Sequence, residues 1–177
     1  MRYFRSMAFA TLLMLLRGSA QAPLIGETFD GDYGINNSGG PFDPGFVEQV
    51  DGGLATVGPG VEYSSFFGPD VDITDTGVTF TGFNSSVSVL PFNGWRFTLQ
   101  NPSVQITGVT LISTTVAGLD GSNISFVPTG FAVNSESTMN GNLELAITTS
   151  PLPEPTGRAS LLGAIAILAV VIRHKRK

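Results

Sequence analysis

The sequence predicts an all-β domain, an antiparallel β-sandwich of jelly-roll-like form, set between an N-terminal signal peptide and a single short C-terminal transmembrane helix. Three observations lead there. Between Leu24 and Thr149 the chain is rich in glycine, serine, threonine, valine and phenylalanine and sparse in good helix formers, which suits pleated, half-buried strands. Several short segments alternate apolar and polar residues with the period of two that such strands require. The two ends, by contrast, each combine an apolar run with basic residues, a pattern that addresses a chain to a membrane.

Taken in order, Arg2 and Arg5 precede an apolar stretch from Met7 to Leu16, and the small residues Gly18-Ser19-Ala20-Gln21-Ala22 follow. This is the layout of a secretory signal peptide over residues 1–20. Cleavage after Ala20 or Ala22 is expected. The first is favoured, because the second would leave Pro23 with its fixed backbone at the new terminus.

Residues 21–150 form the exported domain. Asp30 to Pro44 holds four glycines, two asparagines and two prolines and reads as a loop. Strands are expected over Thr76–Phe83, with Val78 and Phe80 on one face, and over Ser86–Val89. In Trp95–Gln100 the residues Trp95, Phe97 and Leu99 share a face and Arg96 turns to solvent. Val104–Ser113, Ser122–Val127 and Leu143–Thr148 complete the set. Asn93-Gly94, Asp120-Gly121 and Asn140-Gly141 read as hairpin turns, and Gly58-Pro59-Gly60 and Gly68-Pro69-Asp70 as turn formers.

The tail, residues 151–177, is three unlike pieces in succession. Pro153-Glu154-Pro155 is a stiff, extended tether, because each proline removes a backbone donor and biases its neighbour away from the helix. The run Ala159–Ile172 is apolar all round and, as a helix, is about 21 Å long against a hydrocarbon core of roughly 30 Å. Arg158 and Arg173 can snorkel at its two ends, so a span remains physical. Arg173, Lys175, Arg176 and Lys177 then hold the C-terminal side in the cytoplasm as a basic stop-transfer cluster.

This order of pieces resembles the PEP-CTERM protein-sorting domain of bacterial exported proteins. The resemblance implies that Pro153, Glu154 and Pro155 are read by an exosortase-type membrane peptidase, after signal peptidase and the secretion machinery have acted. It implies a protein that sits transiently in the inner membrane as a single-pass chain and then reaches the cell surface or the extracellular, exopolysaccharide-rich biofilm matrix. Exopolysaccharide is the further partner this implies. The runs Ala55–Tyr63, Asp70–Ile73 and Ile106–Leu111 also look similar to ectodomains of other proteins with such tails.

Charge bears on partners. From Gln21 to Pro155 all fourteen acids of the chain face one base, Arg96, a side-chain balance of −13, whereas the whole chain carries −5. A field of that sign repels phosphate backbones and argues against nucleic acid as a partner. Cysteine is absent, so this domain must stand on its hydrophobic core and offers no thiol chemistry.

The single histidine, His174, lies in the basic tail, and the exported domain has no lysine. Histidine-based triads, histidine-ligated zinc and lysine-activated nucleophiles are thereby excluded there. The expectation is a protein with no catalytic residues, no cofactor and no metal. The alternative reading is a carbohydrate-binding or calcium-dependent adhesion module. Asp70, Asp72 and Asp75 would supply oxygen ligands for calcium, with Asp30-Gly31-Asp32 and Asp120-Gly121-Ser122-Asn123 no less suggestive. Tyr63, Phe66 and Phe67, or Trp95, would supply a stacking surface, although the register of Trp95 with Phe97 and Leu99 points to burial. Asn36, Asn84 and Asn123 each open an Asn-x-Ser sequon.

Overall fold

A computed structural model describes residues 21–85, 90–135 and 139–152. Among these, nine strands form two antiparallel sheets and no α-helix occurs. The strands are β1 (Thr28–Asn36), β2 (Val47–Thr56), β3 (Asp70–Ile73), β4 (Gly77–Ser85), β5 (Phe92–Gln100), β6 (Val104–Thr114), β7 (Ile124–Val127), β8 (Gly130–Asn134) and β9 (Met139–Pro151). One sheet runs β2-β1-β5-β8-β7 and the other β3-β4-β9-β6. The all-β expectation therefore holds. Residues 1–20, where a signal peptide is expected, residues 86–89 and 136–138, and residues 153–177 lie outside the described residues.

Alternation builds the core. Trp95, Phe97 and Leu99 of β5 are buried, as are Phe29 and Tyr33 of β1 and Phe131 and Val133 of β8. From the second sheet come Val71, Ile73, Val78, Phe80, Leu143, Leu145 and Ile147. Phe97 stacks on Phe131 at 4.9 Å and meets Phe80 edge-on at 5.8 Å, while Trp95 meets Phe83 edge-on at 5.1 Å. Such pairs add about 0.5–1.5 kcal/mol each beyond burial of their area. Phe83 joins the same face as Phe80 at an odd spacing because the pairing of β4 with β9 shifts register between them.

The three dipeptides expected to reverse the chain do other things. Asn93-Gly94 lies inside β5, where a Cβ on Gly94 would come within 1.9 Å of the Val133 carbonyl of β8. That glycine permits close approach of two backbones rather than a turn. Asn140-Gly141 lies inside β9, opposite Asn84 and Phe83. Asp120 caps the short 3-10 turn Gly121–Asn123, taking the Ser122 N–H at 2.7 Å while the Asn123 side chain takes the Asp120 N–H at 2.8 Å. The strand expected from Ser122 thus starts at Ile124.

The largest departure is at the start of the domain. Half of the segment expected to be a loop, Asp30 to Asn36, belongs to β1, a strand fully paired with β5 from Thr28↔Gln100 to Asn36↔Phe92. Phe29 and Tyr33 supply its inward side chains, and Gly31 between them obscures the period. Residues 37–46 are the true loop. They fold back over the outer face of the five-stranded sheet, where Pro41 is buried and Phe46 lies 6.0 Å from Phe92.

Candidate functional site

Asp32 and Arg96 are register partners on that outer face, and Asp51 of β2 is the register partner of Asp32 on its other side. The guanidinium donates to Asp32 Oδ2 from both Nη2, at 2.6 Å, and Nε, at 3.1 Å. It also lies 3.6 Å above the Phe46 ring and reaches the Pro41 carbonyl at 3.4 Å. Arg96 is therefore not solvated as expected: its side chain is 23% exposed, covered by the 37–46 loop. Pairing the cation with one carboxylate and one ring offsets part of the cost that either charge would carry alone.

The carboxylates around this pair are the densest in the described residues. Asp30, Asp32 and Asp51 bring ligand-capable oxygens within 4.8 Å of one another. Desolvation first, then the charges of Asp32 and Asp51, push the Asp30 carboxyl above its ordinary value, with Arg96 opposing. Asp70, Asp72 and Asp75 are not brought together in this way. Asp70 and Asp72 do share a face of β3, but Asp70 accepts from Ser65 N at 2.6 Å and Ser64 Oγ at 3.2 Å, and Asp75 accepts from Leu24 N at 3.1 Å. Asp70 thus ties the loop at Ser64 and Ser65 to β3, and Asp75 ties its own turn to the chain at Leu24. Asp120 likewise serves its own turn, and its bonds to Ser122 hold its carboxyl below the usual range.

The aromatic residues singled out in the sequence divide. Trp95 is fully buried, and its Nε1 donates to the Phe66 carbonyl at 2.9 Å. Tyr63 and Phe66 are buried too, with the Tyr63 hydroxyl donating to the Phe29 carbonyl at 2.8 Å. Burial, with the nearby acids, pushes the Tyr63 phenol well above its ordinary value. Phe67 alone of these is exposed, at 42%, with its ring stacked on Tyr33 at 3.9 Å.

Beside Phe67 is an open cavity of about 310 Å³ whose walls include Val50 and Gly52 of β2 and Glu62, Ser64 and Ser65 of the following loop. A second open cavity of about 400 Å³ lies between Ile25, the Gly58-Pro59-Gly60 turn and Asp72, Thr74 and Asp75. Two of the sequon asparagines serve the fold. Asn36 holds the 37–46 loop through Ser38 N at 3.0 Å and Gly40 O at 2.9 Å, and Asn123 caps its turn. Pro153, Glu154, Pro155 and the cluster Arg173, Lys175, Arg176 and Lys177 lie outside the described residues, as does the expected helix 159–172. Among the described residues no helix is long and apolar enough to cross a membrane.

No family model matches the chain, and neither the curated proteins nor the solved structures yield a match.

Proposed function

We propose that this is an exported cell-surface or extracellular-matrix protein without catalytic activity of its own, delivered by a signal peptide and sorted through its tail by an exosortase-type peptidase. The observation that carries the reading is the succession Pro153-Glu154-Pro155, apolar Ala159–Ile172 and basic Arg173 to Lys177. The composition of the domain supports it. Between Gln21 and Pro155 there is no histidine, lysine or cysteine, so carboxylates, hydroxyls, carboxamides, the Trp95 indole and Arg96 are the polar side-chain chemistry available. Arg96 and Asp32 are engaged with each other.

Cleavage of the leader after Ala20 fits the packing of the first described residues. Gln21 Nε2 donates to the Ile147 carbonyl at 3.1 Å, Ala22 is buried, and the Thr149 hydroxyl donates to the Ala22 carbonyl. Removal of Gln21 and Ala22 would strip these contacts and leave the buried Thr149 hydroxyl without its acceptor. Cleavage after Ala20 keeps them.

Replacing Pro153 and Pro155 together by alanine tests the sorting reading. The motif would lose its extended form, and the protein should accumulate in the membrane fraction. Undiminished release of the double variant in cells that carry the sorting peptidase would show that the motif is not read.

A second reading, a carbohydrate-binding surface module, is favoured by the exposed Phe67 ring beside the open cavity. Its calcium-dependent form has less support, since Asp70, Asp72 and Asp75 spend their oxygens on backbone and serine donors or stand apart.

A further inference from the structure

The cavity beside Phe67 is built with more irregularity than a sheet edge needs. β2 pairs Gly31 with Gly53 and Asp32 with Asp51, then Tyr33 with Val50 and Gly34 with Glu48, so Gly52 and Gln49 are each an extra residue opposite none. Two bulges within four residues bend this outer strand, and bulges recur where a strand must re-aim its groups. Facing them, Ser65 and Phe67 both adopt left-handed backbone, with φ of 51° and 50°. Neither is a glycine or an asparagine, so each conformation costs about 1 kcal/mol or more and persists only because the surroundings impose it.

Those surroundings are rigid. The Trp95 indole holds the Phe66 carbonyl, Asp70 holds Ser65 N, and Glu62 takes Gly58 N at 3.0 Å and Ile73 N at 2.6 Å through its two oxygens. The Tyr63 ring fits under β1 where a Cβ on Gly31 would stand 2.7 Å away. The outcome is that Phe66 goes inward and Phe67, its neighbour, is turned outward with one ring face on Tyr33 and the other available. Two left-handed residues thus hold a phenylalanine ring that is 42% exposed beside the cavity.

We infer that this cavity is a saccharide-binding site in which the outer face of Phe67 stacks on the C–H face of a non-anionic sugar ring, with its hydroxyls held by Ser64, Ser65 and the outward backbone groups of β2. A volume of about 310 Å³ is at the small end of ligand sites, which run from roughly 300 Å³ upward. The charge selects among sugars. Asp51 and Glu62 are among the lining residues, Asp70 is bonded to Ser64 and Ser65, and Arg96, the one cation of the domain, is tied to Asp32. Uronate or sulfated units are repelled there, whereas neutral and amine-bearing units are accepted.

The inference deepens the surface-module reading of the domain and is independent of the tail, whose processing is measured separately. The test uses the full chain in a sugar-free detergent, titrated with a neutral β-glucan oligomer, a glucosamine oligomer and a uronate oligomer while backbone amide shifts are followed. At least one of the first two should move Gly52, Ser65 and Phe67, and the uronate should not. No movement with either of the first two, or equal movement with uronate, overturns the proposal. Phe67→Gly removes the ring at a backbone angle that glycine adopts freely, so the variant should fold and bind roughly tenfold more weakly, as loss of one stacking contact implies. Phe67→Trp should restore binding. Unchanged affinity in Phe67→Gly would show that the ring only plugs the core beside Tyr33.

Discussion

The two faces of the five-stranded sheet are built on opposite principles. The inner face is a continuous aromatic layer in which Phe29, Tyr33, Trp95, Phe97 and Phe131 interlock with the second sheet. The outer face carries Asp30, Asp32 and Arg96, and is roofed by a loop that supplies Pro41 and Phe46. Both are desolvated, yet the first is held by area and shape and the second by one ion pair under a thin cover. The inner face should tolerate pH and salt. The outer face should not.

Breaking the inner face should have the largest effect. Trp95→Ala would leave a cavity and an orphaned Phe66 carbonyl, and a loss of about 3–5 kcal/mol is expected in chemical denaturation. A loss no greater than that from an exposed strand residue would mean the aromatic layer is not the core.

Removal of one charge from the outer face should come next. Asp32→Ala leaves Arg96 half-buried without its partner, and the expected loss is about 2–3 kcal/mol, below that of a fully buried pair because the guanidinium keeps some solvent. The double variant Asp32→Ala/Arg96→Met should recover much of this. If the double variant is as unstable as the sum of the two single changes, the pair is not coupled as described.

The smallest and sharpest test is pH. The Asp30 carboxyl is raised in the folded state, so the native domain binds its proton more tightly than the unfolded chain does. Its contribution is therefore fully present below the unfolded value and is lost as pH rises through the folded one. Asp120, held low by Ser122, acts in the opposite sense and loses its contribution as pH falls through its folded value. Asp30→Asn should raise the melting temperature at pH 7, with the gain shrinking toward pH 4. An equal gain at both would show that charge at Asp30 is not the cause.

The same contrast explains what could be read from the chain. Trp95 to Gln100 and Leu143 to Thr148 reveal their inward faces because large apolar residues recur at every second position. β1 does not, since Gly31 stands between Phe29 and Tyr33 where the next inward side chain would be, and its partner β5 lies some sixty residues away. The outer face is less legible still: Arg96 has the pattern of a solvent-facing residue, and its cover comes from Pro41 and Phe46 in a segment with no period. Asn93-Gly94 and Asn140-Gly141 have the pattern of hairpin turns because a glycine that admits a close neighbour inside a strand is indistinguishable in sequence from one needed for a reversal, while Asp120-Gly121 does turn the chain, into a 3-10 turn rather than a hairpin. At the cavity, Tyr63, Phe66 and Phe67 were visible as an aromatic group, but which ring turns outward depends on left-handed backbone at Ser65 and Phe67. Nothing about serine or phenylalanine announces that conformation.

The proposed export and release through the tail can be read from the intact mass of the protein recovered from outside cells that carry the sorting peptidase. The expected product is a chain that begins at Gln21 and ends close to Pro155, without the apolar run or the basic cluster. A mass corresponding to a chain that still ends in Lys177 would contradict it.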